Sequence, residues 1–418
     1  MITLLYFEEY VSDLSKKLDY RDDINVIILR AKKTVGKYIN QEELDNSKYP
    51  YFLFDTESDY DIEFKKFYNW LLDNNFKINY FLNDSEYYLE FANKIGRSLH
   101  LECLNEEQVK WVRDKFYMKE KFREIGFNTV DFSLVKSKSD IINFFEKQNG
   151  KSIIFKPRKL MNSINVYKID SITDIDQLNL NLENGDYMVE SYCEDQEWSI
   201  ESLVQDGVVL DSYITYIPNR TLWAAIEGKL NCHMTVPFVP KYFQFSPKDY
   251  IQKIVDGMNL KNGAMTIEIF IDNQGNAIPS ELGWRLPGCQ ATKNHSMSYG
   301  FDMYDSLIDI AIHKPVHLNY KEKICSVGDL YLPNKDGEIS NITPLNQLLA
   351  MDGVIDGRMF VQSGDFVKKR RVGNDASGWI QIIGENEFET LEKMQKVFDT
   401  FEIEVMDERR EKRYVKKI

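Results

Sequence analysis

The sequence predicts a multi-domain protein of the α/β and α+β classes. Its 418 residues are enough for two or three domains of about 150 residues, each with its own hydrophobic core. In residues 1–100, apolar runs of strand length alternate with stretches of helical spacing, which predicts an α/β unit with a parallel sheet. From about Tyr187 to Leu282, short alternating segments predict mostly strands. We therefore expect an α/β unit first and a strand-rich unit after it.

Each expected element follows from the spacing of its apolar residues. Short runs rich in β-branched and aromatic residues predict strands, and apolar positions three and four residues apart predict helices. The expected strands are Ile2–Phe7, Ile24–Leu29, Tyr51–Phe54, Ile78–Leu82, Thr129–Val135, Ser152–Lys156, Tyr187–Ser191, Trp198–Gln205, Val208–Tyr216 and Met265–Ile271. The expected helices are Glu63–Asn74, Ser85–Gly96, Glu106–Ile125 (closed by Gly126), Ser139–Gln148, Pro247–Met258 and Glu387–Asp399. Residues 320–418 add strand-like segments and D-G turns.

Charge and cysteine usage narrow the class of function. Lys and Arg number 52 against 66 Asp and Glu, a net charge of −14, which disfavours binding to a nucleic-acid backbone. No apolar run approaches the ~18 residues of a membrane span, and the start of the chain lacks the pattern of a signal peptide. The five cysteines are scattered without a C-x-x-C pair, which argues against zinc and disulfides. We expect a cytoplasmic enzyme acting on small molecules, without nucleic-acid or membrane partners.

A pair of carboxylates is expected to face each other across a hairpin. In Met265–Gly288, two alternating segments flank a turn, and the midpoint between Glu268 and Glu281 falls between Gln274 and Gly275. A symmetric register would place facing Cβ atoms ~5 Å apart, which is unfavourable for like charges unless a cation lies between them. Carboxylate oxygens favour Mg²⁺ or Mn²⁺. The alternative is a hairpin with solvated surface charges.

Two lysines are candidates for binding phosphate. Lys115 lies within a predicted helix, and Lys156 ends an apolar strand, where its ammonium needs an anion or water. The loop that follows, Lys159–Val166, is placed to cover a phosphate. It has no glycine, although Asn162 and Asn165 tolerate left-handed conformations. For each lysine the alternative is an ordinary surface charge.

The strand that ends near Tyr192 continues into an acidic linker over Cys193–Ser199. The backbone of such a linker could pair with the edge of an adenine, and Glu197 could accept hydrogen bonds from ribose hydroxyls. Glu190, within the strand, and Glu197 could equally be surface charges. The order of the motifs changes this balance.

In order, the chain carries D-K on a helix, a strand ending K-P-R, V-E-S-Y with E-W-S, and a hairpin with E and E-L-G-W-R. This set resembles the ATP-grasp superfamily, and most closely its carboxylate–amine ligase branch, which includes the L-amino-acid ligases. The resemblance implies a Rossmann-like (pre-ATP-grasp) domain over residues 1–105 and a bilobed ATP-grasp domain. The lobes would be a small subdomain over 106–187 and a subdomain with the metal site over 188–320. A lid-like module with a basic tail would occupy 321–418.

The resemblance also implies roles for individual residues. The residues that would bind ATP are Lys115, Lys156, Glu190, Ser191, Tyr192, Cys193 and Glu197, with the lysines at the phosphates and Glu197 at the ribose. Glu268 and Glu281 would hold Mg²⁺ or Mn²⁺. Arg285, His233 and Lys156 would be catalytic, with Arg285 facing an acyl phosphate. Arg220 is a further candidate for the substrate carboxylate.

Three positions depart from the family pattern. Gly283 replaces the usual Asn after the second metal carboxylate, Pro287-Gly288 replaces Gly-Gly, and the phosphate loop lacks its glycines.

The function implied is an ATP-dependent ligase that activates an amino-acid carboxylate as an acyl phosphate and transfers it to an amine. One alternative transfers an amino acid such as glutamate to the phosphopantetheine thiol, or to an amino-acyl group, of an acyl carrier protein in antibiotic biosynthesis. Basic clusters at Lys368–Arg371 and Arg409–Lys417 could dock such an acidic partner. A second alternative is a non-catalytic nucleotide-binding module. The sequence does not decide the oligomeric state, and a homodimer is among the options.

Overall fold

The computed structural model describes residues 2–178, 181–369 and 372–406. Its first part is an α/β unit built on a parallel sheet of order β3-β2-β1-β4. The strands are β1 Ile2–Phe7, β2 Ile24–Ala31, β3 Tyr51–Phe54 and β4 Tyr80–Asn83, and the helices are α1 Asp13–Leu18, α2 Gln41–Asp45, α3 Tyr60–Asp73 and α4 Leu89–Ser98. The predicted parallel sheet is confirmed.

The predicted helix over Glu106–Ile125 is wrong as a single element. The structure has two helices, α5 Glu106–Arg113 and α6 Lys115–Glu124, separated by Asp114 in an extended conformation. The Asp114 carboxylate accepts the Phe116 amide at 3.1 Å, and its other oxygen forms an ion pair with Arg158. Asp is a favoured helix N-cap, and the contact with a distant arginine holds it there. The break places Lys115 at the first position of α6.

A small antiparallel sheet of order β5-β8-β6-β7 follows. Its elements are β5 Phe132–Val135, α7 Lys138–Lys147, β6 Ile153–Pro157, β7 Tyr167–Ile169, α8 Ile172–Asp176 and β8 Tyr187–Ser191. Its core includes the side chains of Val135, Phe155 and Val189, which are fully buried. β6 ends at the edge of this layer. Lys156, near the end of β6, therefore lies at the border of the apolar core.

The second half of the chain forms a large antiparallel sheet of order β13-β12-β9-β10-β11-β14-β18-β16 within the described residues. Its strands are β9 Gln196–Gln205, β10 Val208–Tyr216, β11 Asn231–Val236, β12 Gly263–Ile271, β13 Ala277–Gly283, β14 Ser326–Leu332, β16 Val354–Met359 and β18 Gly378–Gly384. A smaller sheet has the order β17-β15-β19, from β15 Gly337–Ile342, β17 Phe366–Val367 and β19 Ile403–Met406. The helices are α9 Thr221–Glu227, α10 Pro247–Met258, α11 Ala291–Tyr299, α12 Met303–Ala311, α13 Leu345–Leu349 and α14 Glu387–Thr400.

Alternation along the strands divides the large sheet into a core face and a cleft face. On β12, Met265, Ile267 and Ile269 are fully buried in the core, so Thr266 and Glu268 point to the opposite face, where they line a cleft. Strands from both sides of residue 320 belong to this sheet, since β14 pairs with β11. The domain limits given above stay predictions. Among the residues described, no helix has the length and apolar character that crossing a membrane requires.

Candidate active site

The hairpin of β12 and β13 places Glu268 directly opposite Glu281, as predicted. The way it does so was not predicted. Near the turn, Ile269 pairs with Pro279, and the next pair is Glu268 with Glu281, so Ser280 is left out as a β-bulge. Without the extra residue, Glu268 would face Ser280, and Glu281 would project from the other side of the sheet. The bulge therefore brings the two carboxylates to the same cleft.

The neighbouring strand extends the acidic row. β9 pairs with β12 so that Ser199 lies opposite Glu268 and Glu197 lies opposite Phe270. Glu197, Ser199 and Glu201 alternate along β9, and all three line the same cleft as Glu268. Glu201 is buried and its carboxylate accepts hydrogen bonds from Ser199, Thr215, Thr266 and His295. This last carboxylate is therefore already satisfied within the protein.

The cleft carboxylates repel one another, and this repulsion acts on their pKa values. Burial raises the pKa of Glu268 well above its ordinary value, and the charges of Glu281 and Glu197 raise it further. Burial likewise raises the pKa of Glu197, against the opposing charge of Arg220. Such a row favours a bound cation. Its oxygen donors fit Mg²⁺, which commonly keeps waters and substrate phosphates as its other ligands. Within the described ranges, no group of three or more Asp, Glu, His or Cys side chains is arranged to hold a metal ion without other ligands.

Three ammonium groups surround these carboxylates. Lys115 lies 2.7 Å from Glu281 Oε1, and Lys156 lies 2.6 Å from Glu190 Oε1. Burial works against the Lys156 ammonium, but the charges of Glu190 and Glu281 outweigh it and raise the pKa of Lys156. Lys119, which the motifs did not identify, lies 3.1 Å from Glu190 Oε2. Both oxygens of Glu190 are thus ion-paired, and its expected contact with adenine stays a prediction.

The loop between β6 and β7 covers one side of the cleft. Asn162, Ser163 and Asn165 have positive φ angles of 54°, 56° and 57°, so polar residues adopt the left-handed conformation that glycines usually provide. The expectation for both asparagines is confirmed. The Gly373 amide donates to the Asn162 carbonyl at 3.4 Å, so the last part of the chain contacts this loop.

Arg220 lines the cleft and is also held by contacts within the protein. Its guanidinium donates to the backbone carbonyls of Cys193 and Asp195, and it stacks over Tyr192 and Phe270 with 4.5 and 4.7 Å to the ring centroids. Arg220 thus holds the linker after β8, and its contact with a substrate carboxylate stays a prediction. The linker residues Ser191 and Cys193 line the cleft, as does Glu197.

Arg285 lies where the first α/β unit meets the large sheet. Its guanidinium contacts Glu86 Oε2 at 2.6 Å, and the Leu286 amide donates to Asp84 at 3.4 Å. Burial would raise the pKa of Glu86, but the charges of Arg285, Lys115 and Arg113 together outweigh it and the pKa is lowered. Glu86, Arg285 and Gly288 line the cleft together. The sequence motifs contained no signal for Glu86, because it comes from a segment about 200 residues away.

His233 belongs to a buried polar network that sequence reasoning also missed. The antiparallel register puts His233 opposite Asp329, with 3.4 Å between Nδ1 and Oδ2, and Nε2 lies 3.1 Å from Thr221. Asn294 donates to the other Asp329 oxygen at 2.6 Å and accepts from Gln381. Burial opposes the imidazolium, but Asp329 outweighs it and raises the pKa of His233.

Replacing Asp329 with asparagine should therefore lower the pKa of His233, measured by NMR titration of its ring, with His313 as internal reference. Because the folded-state pKa of His233 is raised, the pair stabilises the protein fully below about pH 6.5, the ordinary value of imidazole. This contribution is lost as the pH rises through the raised value. The difference in free energy of unfolding between wild type and variant should shrink over the same range. An unchanged His233 pKa would contradict the pairing.

The cleft that joins these groups has a volume of about 330 Å³, within the usual range for a small-molecule site. It contains Lys115, Lys156, Glu190, Ser191, Cys193, Glu197, His233, Glu268, Glu281 and Arg285. The predicted site residues are thus brought together from both sheets. Tyr192 lies outside its lining and packs beneath Arg220. The individual roles of all these residues stay predictions.

Comparison with known proteins agrees with this arrangement. Residues 150–293 match the model of the ATP-grasp domain. An L-arginine-specific L-amino acid ligase from Bacillus subtilis is 22% identical over 312 residues, covering 72% of this chain and 74% of that protein. The structure of an L-amino acid ligase from Bacillus licheniformis superposes with a TM-score of 0.75 at 15% identity, covering 97% of this chain and 99% of that one.

A phosphoribosylglycinamide synthetase from Anaerococcus prevotii superposes with a TM-score of 0.64 at 18% identity, over 97% of this chain and 100% of that one. The matched domain runs from the strand that bears Lys156 past the hairpin that bears Glu268 and Glu281. Residues 150–293 therefore match the ATP-grasp domain, and the chain shares the fold of these ligases over almost its whole length.

Proposed function

We propose that the protein is an ATP-dependent, ADP-forming ligase that joins an amino-acid carboxylate to an amine and so makes an amide bond. The observation that carries this proposal is one cleft in which Glu268 faces Glu281, Lys115 and Lys156 flank them, and Arg285 stands at the border of the first unit. The similarity to two L-amino acid ligases supports the choice of an amino acid as acyl donor.

The chemistry requires a better leaving group than oxide. Transfer of the γ-phosphoryl group of ATP to the donor carboxylate forms a mixed anhydride and releases ADP; an amine then attacks the carbonyl and phosphate leaves. Phosphoryl transfer depends mostly on positioning and on neutralising charge. Lys115 and Lys156 are ion-paired with Glu281 and Glu190 at the cleft, where they would contact phosphate oxygens. Glu268 and Glu281 would hold Mg²⁺, which neutralises phosphate charge when bound.

The second step of the reaction, attack by the amine, requires a positive group at the other end of the cleft. The carbonyl oxygen gains negative charge as the amine attacks, so a fixed positive group there lowers the barrier. Arg285 is held by Glu86 and lines the cleft together with Gly288 and Ala291, the first residue of α11. Asp329 raises the pKa of His233 and so favours its cationic form, which would add a second positive charge. These groups would bind the acyl phosphate and the tetrahedral intermediate.

The two alternatives differ in acceptor and in turnover. Transfer to a carrier protein was argued from the basic clusters, which could dock an acidic partner. Arg370, Arg371 and Arg409–Lys417 lie outside the described residues, and the ammonium of Lys369 donates to the Ile226 carbonyl. No observation therefore favours a carrier protein over an amine. In a module that only binds nucleotide, the ion-paired Arg285 would have no acyl phosphate to bind.

Release of ADP and phosphate across a panel of amino acids, with ATP and Mg²⁺, tests the proposal. We expect release that requires a donor amino acid, rises with a second amino acid or amine, and yields a dipeptide or amide in equal amount. Hydroxylamine should trap the activated donor as a hydroxamate. Nucleotide binding without release under any combination would indicate the non-catalytic module, and release only with a carrier protein would indicate the thiol acceptor.

A further inference from the structure

Lys119 is a buried ammonium group beside the candidate metal carboxylates that none of the expected roles uses. It follows Lys115 by one turn of α6, and only 1% of its side chain is exposed. It does not line the cleft, so it does not reach a nucleotide directly. Burying a charge is costly unless the charge is paired. The groups that Lys119 contacts therefore indicate the role of its charge.

The first partner is the bulge that defines the carboxylate pair. Lys119 Nζ donates to the Ser280 carbonyl at 3.1 Å. Ser280 is the residue left out of the strand pairing, and this offset is what turns Glu281 towards Glu268. At a bulge, some of the backbone hydrogen bonds that would hold the residue against the neighbouring strand are missing. The hydrogen bond from α6 supplies a replacement at the position that sets the direction of Glu281.

The second partner is the carboxylate that also holds Lys156. Lys119 lies 3.1 Å from Glu190 Oε2, and Lys156 lies 2.6 Å from Glu190 Oε1. Glu190 is itself buried, and the two ammonium groups keep its pKa at about 2 against the effect of burial. One side chain of α6 thus touches the small sheet through Glu190 and the large sheet through Ser280. These are the two layers that carry Lys156 and Glu281.

We infer that Lys119 is a positioning residue, which fixes the Ser280 bulge and Glu190 so that Glu281 and Lys156 are held at a set separation for a nucleotide–metal complex. The inference rests on the proposed function. It predicts that the loss of Lys119 weakens binding of Mg²⁺ and nucleotide together, because groups that orient metal ligands commonly change metal affinity about 10- to 100-fold.

The test is equilibrium binding of ADP, titrated with Mg²⁺, to the purified full chain. Lys119→Met keeps the side-chain length and removes the charge. We expect about tenfold weaker binding of ADP in the presence of Mg²⁺. The matched control is Lys121→Met, since Lys121 is also buried on α6 but pairs with Glu124 at 2.7 Å and lies outside the cleft lining. The control should bind as wild type does.

A cycle with Glu281→Gln separates positioning from a general loss of stability. If Lys119 acts through Glu281, the double variant should bind Mg²⁺ and ADP more tightly than the product of the two single losses predicts. Thermal unfolding is followed in parallel, and Lys119→Gln is measured as a second variant with the same expected direction.

Binding by Lys119→Met equal to wild type or to Lys121→Met would overturn the inference alone, as would losses that simply multiply. If neither Lys119 variant folds, the residue serves folding and the inference is also overturned. Wild-type protein that fails to bind ADP with Mg²⁺ would overturn the proposed function as well.

Discussion

Replacing Glu281 with glutamine should lower kcat/KM for ADP release roughly a thousandfold, the rate equivalent of about 4 kcal/mol. Glutamine keeps the size of the side chain but removes the negative charge that lies opposite Glu268 and 2.7 Å from Lys115. A neutral amide is a weaker ligand for Mg²⁺ than a carboxylate. The measurement is the steady-state rate of ADP release with a saturating donor and acceptor.

The matched control for this variant is Glu385→Gln. Glu385 is an exposed carboxylate that also pairs with a lysine, Lys323 at 2.8 Å, and it lies outside the cleft lining. We expect wild-type rates from the control. Burial and the charge of Glu281 both raise the pKa of Glu268. Because Glu281→Gln removes one of two repelling charges, we expect its thermal unfolding midpoint to be equal to or higher than that of wild type. Wild-type turnover by Glu281→Gln would remove the metal assignment.

Replacing Arg285 with methionine should reduce kcat by about 10²- to 10³-fold while leaving the affinity for ADP with Mg²⁺ unchanged. Arg285 is expected to act on the acyl phosphate and on the oxyanion, whereas Lys115 and Lys156 are expected to bind the nucleotide. The separation of kcat from nucleotide affinity is the informative readout. A parallel loss of both would indicate that Arg285 serves nucleotide binding instead.

The same variant has a predicted effect on stability. Without Arg285, the nearest cation to Glu86 is Arg113 at 3.7 Å. The folded-state pKa of Glu86 is lowered, so the pair stabilises the protein above the ordinary pKa of a glutamate and loses that effect as the pH falls. The variant should therefore be less stable than wild type at pH 7, with a smaller difference in acid. Arg123→Met, which removes an exposed arginine 3.5 Å from Asp131, is the control for charge.

Local patterns were sufficient for most of the fold and for the central part of the site. Alternation along Met265–Ile271 and the turn at Asp272–Asn276 predicted that Glu268 and Glu281 would face each other, because both signals are contained in one hairpin. In the same way, the alternation of strands and helices predicted that the first four strands form a parallel sheet. Such signals depend on neighbours in sequence.

The features that were missed depend on contacts between distant segments. The helix break at Asp114 is held by Arg158, and Arg220 is held by the linker carbonyls; neither partner is a sequence neighbour. Glu86 reaches the cleft from the first part of the chain, and Asp329, from the last part, contacts His233, which lines the cleft. Lys119 is the exception, since its spacing of four residues from Lys115 on a predicted helix already placed both ammonium groups on one face.

The most direct test of an acyl-phosphate ligase follows oxygen atoms. A donor amino acid with an ¹⁸O-labelled carboxylate, identified from the panel, is incubated with the enzyme, ATP, Mg²⁺ and the acceptor. Phosphoryl transfer to the carboxylate makes one of its oxygens the bridging atom, and this atom leaves with phosphate when the amine attacks. We expect one ¹⁸O in each released phosphate and ADP as the nucleotide product. Label in AMP, or phosphate without label, would contradict the account.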